Sequence, residues 1–271
     1  MDSLRGLFSW GVVILLSLIL LLLSAQSYAD VVLDCDQKYR LCRILIKGTI
    51  RQEDLTTLKK ILNSVDKERP KIKTTRGEYS LSVSVTLDSS GGDVFTALAI
   101  GDLFYEYQFI VDVKSCSSSC VFILGSSIMR NEGAGEVYIH RPYSVATDRS
   151  YEQIKSDLAN MERIAVSQFK RVGVSPDLWN AMMSVPPEKA RRLSDEEIDY
   201  FGLDRNDPAY DDAFDSLRAK SLGITKQEYL RRKAISQRCI EQEASRGNYG
   251  SKIYFDCLKR AGIGYSDYPR Q

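Results

Sequence analysis

The chain has 271 residues, of which 44% are hydrophobic and 27% are charged, the balance of a globular protein that can bury a core. Its 37 Lys and Arg residues against 36 Asp and Glu residues leave a formal net charge of +1. With no basic block in addition, the composition excludes an electrostatic case for a nucleic-acid partner. His140 is the single histidine, so any imidazole chemistry belongs to that residue.

The N-terminus is typical of an export signal. Arg5 supplies a positive charge, residues 10–23 form an uninterrupted apolar run, and residues 27–29 (Ser-Tyr-Ala) have the small residues that a signal peptidase reads. We expect residues 1–29 to be a cleaved signal peptide. The alternative is an uncleaved anchor in the inner membrane over residues 7–25, through which the protein would associate with the membrane. In both cases the remaining chain is exported, to the periplasm or beyond.

Six cysteines suit an oxidising compartment, because disulfides persist where thiols are not kept reduced. They fall into three close pairs along the chain, namely Cys35 with Cys42, Cys116 with Cys120, and Cys239 with Cys257. This local scheme is the simplest of the fifteen pairings that six cysteines allow. The spacings lack the Cys-x-x-Cys pattern of structural zinc sites, so we expect no metal and no other cofactor.

The hydrophobic periodicity predicts strands that alternate with helices through the first two hundred residues. The predicted strands are 41–50, 81–87, 109–113 and 137–140, and the predicted helices are 54–65, 94–105, a long one from 150, and 194–202. The polar stretch 69–77 contains a proline and is predicted to be a loop. The alternation indicates an α/β domain with a mostly parallel sheet, which we assign to residues 30–205.

The composition changes at an acidic loop over residues 204–215, and the pattern beyond it is helical only. Residues 247–250 contain two glycines and predict a turn. Cys239 and Cys257 lie about equally far before and after this turn, so they would face each other in an antiparallel helical hairpin. We therefore predict an α-helical C-terminal extension, residues 206–271, with a disulfide in its hairpin.

Three local features carry the candidate chemistry. Residues 89–92 (Ser-Ser-Gly-Gly) end a strand, where paired glycines expose N–H groups to an oxyanion, although a plain turn has the same composition. Residues 117–119 are three serines at a strand-to-helix turn, where they present a hydroxyl or simply cap the helix. Periodicity does not choose among the three. His140 ends a strand, either as a base or as an ordinary hydrogen-bonding residue.

Together these features resemble ClpP, the proteolytic subunit of the Clp protease. Residues 88–94 (Asp-Ser-Ser-Gly-Gly-Asp-Val) are similar to its Ser-Pro-Gly-Gly turn and the helix that follows. Residues 117–120 (Ser-Ser-Ser-Cys) are similar to its Ala-Ser-Met-Gly nucleophile segment, and residues 139–142 (Ile-His-Arg-Pro) to its Ile-His-Gln-Pro strand end. The resemblance covers residues 43–204 and implies a ClpP/crotonase-like core of repeated ββα/βαβ units. Cysteines beside the serines indicate an exported subgroup.

The resemblance implies roles for individual residues. Ser118 would be the nucleophile and His140 the general base, with an oxyanion hole made by the backbone N–H groups of Gly92 and Ser119. The long helix from residue 150 would resemble the family's handle helix, which implies a homo-oligomer.

The third member of the triad is less well matched. The family has an aspartate shortly before a Met-Ser-x-Glu-Glu-Ala segment, which residues 193–198 resemble, but the aligned position here is Ala190. Glu188 is the nearest preceding carboxylate and the candidate third member. A Ser–His dyad and a backbone carbonyl as the partner of His140 remain alternatives.

The spacing of Cys116 and Cys120 allows a disulfide, since helical residues four apart lie about 6 Å from each other in Cα position. We hypothesise that this bridge fixes the turn that presents Ser118. A reactive thiol as nucleophile is the less favoured alternative, because an oxidising compartment would consume it.

The expected function is that of an exported serine endopeptidase that hydrolyses peptides or protein segments. The alternative is a catalytically inactive ClpP-like scaffold or binding protein of the cell envelope, which Ala190 favours. An acyl-CoA enzyme of the crotonase type is disfavoured by the Ser118 and His140 pair and by an exported location, where CoA substrates are scarce.

Overall fold

The computed structural model describes residues 30–36, 41–65, 71–74, 77–80, 84–130, 135–144, 148–248 and 250–263. The predicted signal segment, residues 1–29, lies outside this description. None of the helices in the described residues is long and apolar enough to cross a membrane. The chain divides into two compact units, Met1–Arg69 with Ser82–Arg205, and Pro70–Leu81 with Asn206–Gln271.

The first unit is built on a seven-stranded mixed sheet. Its strands are β1 (Asp30–Asp36), β2 (Leu41–Ile50), β5 (Ser84–Gly92), β6 (Ile110–Ser117), β7 (Met129–Arg130), β8 (Glu136–Ile139) and β9 (Arg191–Arg192). The order is β1-β2-β5-β6-β8-β9, with β7 also paired with β6. The pairs from β2 to β8 are parallel, whereas β1 and β9 are antiparallel to their neighbours. The predicted α/β class is confirmed, and antiparallel strands at both ends make the sheet mixed.

Helices connect these strands. Within the described part of the first unit they are α1 (Gln52–Val65), α2 (Val94–Tyr107), α3 (Cys120–Gly125), α4 (Tyr151–Arg171), α5 (Asp177–Ser184) and α6 (Asp195–Phe201). Two of them begin at the capping boxes that the sequence predicts, with Ser150 and Gln153 at α4 and Ser194 and Glu197 at α6. Each box satisfies backbone N–H groups that a helix start leaves without partners.

The core of the first unit lies against the middle strands. Ile44, Ile46, Val85, Leu87 and Val111 are all fully buried, and each such side chain stabilises the fold by about 1.5–3 kcal/mol. The short helix α3 is buried along its whole length. Because α3 has no exposed face, packing on every side holds the turn at its N-terminus in place.

Some predicted boundaries are wrong. Residues 69–77 were expected to form a loop, but β3 (Lys71–Thr74) and β4 (Gly77–Ser80) pair as an antiparallel hairpin in the second unit. A strand of four residues is too short to show a clear alternation of apolar and polar side chains in the sequence. These two segments are strands because their backbones pair with each other. In the sheet, β5 and β6 run on to Gly92 and Ser117, well past the predicted ends, because backbone pairing continues after the apolar side chains stop.

The second unit contains three further helices in its described residues. They are α7 (Pro208–Ser221), α8 (Lys226–Ser245) and α9 (Lys252–Ala261). The predicted disulfide between Cys239 and Cys257 is confirmed, with a Cα–Cα distance of 5.7 Å, and it joins α8 to α9. Tyr254 and Leu258 pack against it in a small core.

The third predicted cysteine pair lies at the first hairpin of the sheet. The backbone positions of Cys35 and Cys42 are opposite each other in the register of β1 and β2. Their side chains lie outside what the structure describes, so this disulfide stays a prediction.

Candidate active site

Ser118 occupies an unusual backbone conformation at the turn between β6 and α3. Its φ is +57°, in the left-handed region, which only one other non-glycine among the described residues shares, Gln108. Its N–H donates a hydrogen bond of 3.0 Å to the carbonyl of Tyr138, which ties the turn to β8. A left-handed conformation costs a residue with a Cβ about 1–2 kcal/mol, and such strain concentrates at functional sites. Conformation therefore separates Ser118 from the other two serines.

A disulfide spans this turn. Cys116 and Cys120 are bonded, with a Cα–Cα distance of 5.3 Å, as the sequence predicts. Both cysteines are fully buried. The bridge closes a five-residue loop with Ser118 at its centre, so the strained residue is held from both sides.

Ser119 is buried beside the strained residue. It is 1% exposed, and its hydroxyl has no hydrogen-bond partner among the residues that the structure describes. A buried hydroxyl without a partner costs about 1–3 kcal/mol, so its position next to Ser118 is unfavourable for the fold alone. The Ser119 hydroxyl is therefore a buried polar group next to Ser118 that has no hydrogen-bond partner among the described residues.

The glycine turn at the end of β5 packs directly against Ser118. Gly91 has a φ of +92°, and a Cβ atom at Gly91 would lie 2.6 Å from the Cβ and 3.1 Å from the Oγ of Ser118. Gly92 faces the other way, where a Cβ would lie 2.7 Å from the backbone nitrogen of Ile50. A side chain at either position would clash, so Gly91 allows the backbone of β5 to contact the Ser118 side chain and Gly92 allows it to lie close to the backbone of Ile50.

A buried hydroxyl holds this glycine turn. Ser89 accepts a hydrogen bond of 3.1 Å from the N–H of Gly91 and donates one of 2.6 Å to the carbonyl of Gly48. Because Ser89 is 2% exposed, water does not compete for these bonds. The backbone beside Ser118 is thus fixed by neighbouring strands as well as by its own turn.

His140 comes directly after β8, the strand to which Ser118 is tied. Ser117 pairs with Tyr138 in the register, so His140 follows two residues after the point of attachment. Its Nδ1 lies 3.0 Å from the carbonyl oxygen of Arg141. A carbonyl only accepts hydrogen bonds, so Nδ1 carries the proton and Nε2 is left as the basic nitrogen.

The imidazole makes no hydrogen bond to Ser118 or to Glu188 in the described part of the chain. Its ring also lies 6.0 Å, centre to centre, from the ring of Tyr143. The structure therefore brings Ser118 and His140 to neighbouring strand ends, and the partner of the ring is the Arg141 carbonyl.

The strand pairing indicates which residue lies across from His140. In the register of β8 and β9, Tyr138 pairs with Arg192 and Ile139 with Arg191, the last pair, and continuing the register by one residue sets His140 opposite Ala190. Ala190 is exposed and has no carboxylate to offer.

Glu188 lies in a turn closed by a hydrogen bond of 3.0 Å from the Lys189 N–H to the Pro186 carbonyl. Its side chain is exposed and makes no hydrogen bond or ion pair with any described residue. Val185, the residue before this turn begins at Pro186, accepts a hydrogen bond of 2.9 Å from the N–H of Arg141. The turn is thus anchored to the chain next to His140, but its carboxylate does not orient the ring.

Ion pairs hold the last strand of the sheet beside this edge. Arg191 binds Glu197 at 2.7 Å, and this hydrogen bond, with one from the Ser194 N–H, lowers the pKa of Glu197. Arg192 lies 3.3 Å from Glu136 across the strand pair. These contacts join β9 to α6 and to β8, and so they keep the register that sets Ala190 opposite His140.

The chain matches no protein-family model and no curated protein. Across the described residues, no group of three or more His, Cys, Asp or Glu side chains is arranged to hold a metal ion.

The contact between Gly91 and Ser118 was not predicted from the sequence. A backbone carbonyl as the partner of His140 was one of the alternatives left open, and the structure identifies it as the carbonyl of Arg141. Pro142 restricts Arg141 to an extended conformation, which is a local signal for this arrangement.

Proposed function

We propose that this protein is an exported serine peptidase with a ClpP/crotonase-like core, in which Ser118 is the nucleophile and His140 the general base. The observation that carries the proposal is the strained, left-handed Ser118 at a strand-to-helix turn. Nucleophilic serines of hydrolases are presented on such strained turns, which expose the hydroxyl beside backbone N–H groups. A disulfide across the turn and the closely packed Gly91 support the same interpretation.

The chemistry follows from the positions of these groups. The Ser118 hydroxyl oxygen attacks the carbonyl carbon of the peptide bond while its proton passes to Nε2 of His140. The N–H groups of Gly92 and Ser119 stabilise the oxyanion, and loss of one such donor typically lowers the rate by about 10²–10³. His140 then gives the proton to the departing amine. His140 next takes a proton from a water molecule, whose oxygen attacks the acyl carbon. The acyl group leaves as a carboxylic acid while His140 gives that proton back to the Ser118 oxygen.

Because the hydrogen-bond partner of His140 is a neutral carbonyl, we expect the enzyme to be slow. A neutral carbonyl holds the ring in the correct tautomer but stabilises the imidazolium less than a carboxylate would. In the best-studied triad, replacing the carboxylate with a neutral amide lowers the turnover by about 10⁴. We therefore expect modest turnover unless another negative charge reaches the site.

We also propose a cellular location and an oligomeric state for this protein. Residues 1–29 would direct export to the periplasm, where the two disulfides would form, and peptides or protein segments would be the substrates. A homo-oligomer is supported by the first turns of α4, where Tyr151 and Ile154 expose 74% and 38% of their surface. No cofactor enters the mechanism.

A scaffold or binding protein that has lost its activity is the second candidate. Two observations favour it, namely Ala190 opposite His140 and the lack of a Ser118–His140 hydrogen bond in the described residues. Catalytic hydrogen bonds often tighten only when substrate binds, so we prefer the peptidase.

A fluorophosphonate probe distinguishes the two candidates, because it labels only activated serines. We expect the folded, oxidised protein to be labelled, and we expect labelling to disappear in Ser118→Ala and His140→Ala. Ser117→Ala is the matched control and should retain labelling. A folded wild-type protein that the probe does not label would refute the peptidase and leave the scaffold.

A further inference from the structure

The charged residues that flank His140 and Ala190 in the chain do not all have a partner of opposite charge. Arg191 and Arg192 each have a carboxylate partner, but Arg141 and Lys189 do not. Both side chains are exposed and make no hydrogen bond or ion pair with the residues that the structure describes. Glu188 is likewise unpaired, so these three neighbouring side chains leave a net charge of +1.

This imbalance matters when the serine reacts, because His140 then becomes a cation. In a triad a buried carboxylate stabilises that cation, whereas here the ring bonds to a neutral carbonyl and Ala190 stands opposite. Arg141 follows His140 directly, and Lys189 precedes Ala190 directly. The mechanism thus calls for a negative charge where the adjacent residues of the chain are two cations.

We propose that the substrate supplies this charge. The site takes peptides that carry a carboxylate on the leaving-group side of the scissile bond, held by Arg141 and Lys189. This inference rests on the proposed peptidase function.

The geometry of the reaction assigns the side, because His140 delivers its proton to the departing amine and so lies next to that half of the peptide. The guanidinium of Arg141 matches a carboxylate in a two-point hydrogen bond, and the ammonium of Lys189 adds a second charge. The carboxylate is not consumed. It is either an acidic side chain just after the bond or the C-terminal carboxylate of a short product half.

Three fluorogenic peptides distinguish these two sources. The first has Glu just after the scissile bond, the second has Gln there, and both end in an amide. The third has Gln and a free C-terminal carboxylate. We expect kcat/KM for one or both acidic peptides to exceed that of the neutral peptide by about tenfold or more at low salt, with a smaller ratio at high salt. Equal values for all three peptides would overturn the inference.

Two sets of variants test the residues involved. Arg141→Gln combined with Lys189→Gln should abolish the preference for the carboxylate. Lys59→Gln combined with Lys60→Gln is the matched control, since it removes two exposed lysine charges from α1, and it should keep the preference. A preference that survives in the first double variant would refute the assignment.

Ala190→Asp gives the opposite test, a gain of activity. A carboxylate opposite His140 should raise kcat/KM for the neutral peptide by about tenfold or more and change the acidic peptides much less. A uniform effect on all peptides would contradict the idea that the substrate replaces this charge.

Fluorophosphonate labelling of the wild type distinguishes a failure of the peptidase function from a failure of the substrate preference alone. If Ser118 is not labelled, the peptidase function fails and this inference fails with it. If Ser118 is labelled but the three peptides react equally, only the substrate preference fails.

Discussion

Replacing Cys116 and Cys120 together by alanine removes the disulfide across Ser118. We expect its main effect to be a loss of Ser118 reactivity, and its effect on the free energy of unfolding to be the smaller one. The bridge closes a loop with a sequence separation of only 4 residues, for which loop entropy gives a stabilisation of about 2 kcal/mol. The bridge in the second unit has a separation of 18 residues and should contribute about 3 kcal/mol.

The reactivity of Ser118, in contrast, should depend more on the Cys116–Cys120 bridge than on the Cys239–Cys257 bridge. The left-handed conformation of Ser118 costs about 1–2 kcal/mol, and the bridge helps to hold it. If the turn relaxes when the bridge is removed, the fraction of protein with a competent serine falls by about five- to thirtyfold. The second disulfide joins α8 to α9 in the other compact unit and does not flank Ser118 in the chain.

The matched variant is Cys239→Ala with Cys257→Ala. For both double variants we would measure the free energy of unfolding in urea and the second-order rate constant for labelling by a fluorophosphonate. The first pair should lose most of the labelling rate with the smaller loss of stability, and the second pair should do the reverse. Equal labelling rates in the two variants would refute the reasoning that the bridge holds the nucleophile.

Two further predictions concern the neighbours of the nucleophile. Gly91→Ala should destabilise the protein by about 3 kcal/mol, from the clash with the adjacent serine segment and the positive φ together, whereas Gly223→Ala, with a φ of +66° and nothing within 4 Å, should cost about 1 kcal/mol. Urea unfolding measures both, and equal costs would contradict the close packing at Gly91. The second prediction is pH dependence at Glu197, whose pKa the hydrogen bond from Arg191 holds below its usual value of 4.5. The ionised carboxylate stabilises the fold above pH 4.5, and this contribution is lost as the pH falls through the lowered pKa. Glu197→Gln should therefore cost about 0.5 kcal/mol or less near neutral pH, since the pair is partly exposed, and progressively less as the pH is lowered through that range. A cost that does not change with pH would exclude this ion pair as its origin.

Local signals explain what could be read from the sequence. Helix starts at Ser150 and Ser194 are set by a side chain bonding to N–H groups three residues away, so a pattern of four residues suffices to predict them. Cys116 and Cys120 are close in the chain, and their distance follows from local geometry alone. His140 was a candidate because it is the single histidine and because residues 139–142 resemble the strand end that carries the base in the ClpP family.

Other features depend on contacts between distant segments. Three adjacent serines are chemically alike, and Ser118 differs because the disulfide across the turn, Gly91 and the strand that carries Tyr138 together hold its backbone in the left-handed region. Nothing within residues 117–119 encodes that choice.

The surroundings of His140 also depend on pairing. The sequence aligned Ala190 with the family's aspartate and offered Glu188 as the nearest carboxylate, but β9 is two residues long and leaves no periodic signal that would place either of them. Its register with β8, held by the ion pairs of Arg191 and Arg192, agrees with Ala190 at that position, one step beyond the last pair. The amino-acid sequence thus determined which residue types are available for chemistry, while strand pairing decided which of them meet, because register is a property of two segments and not of one.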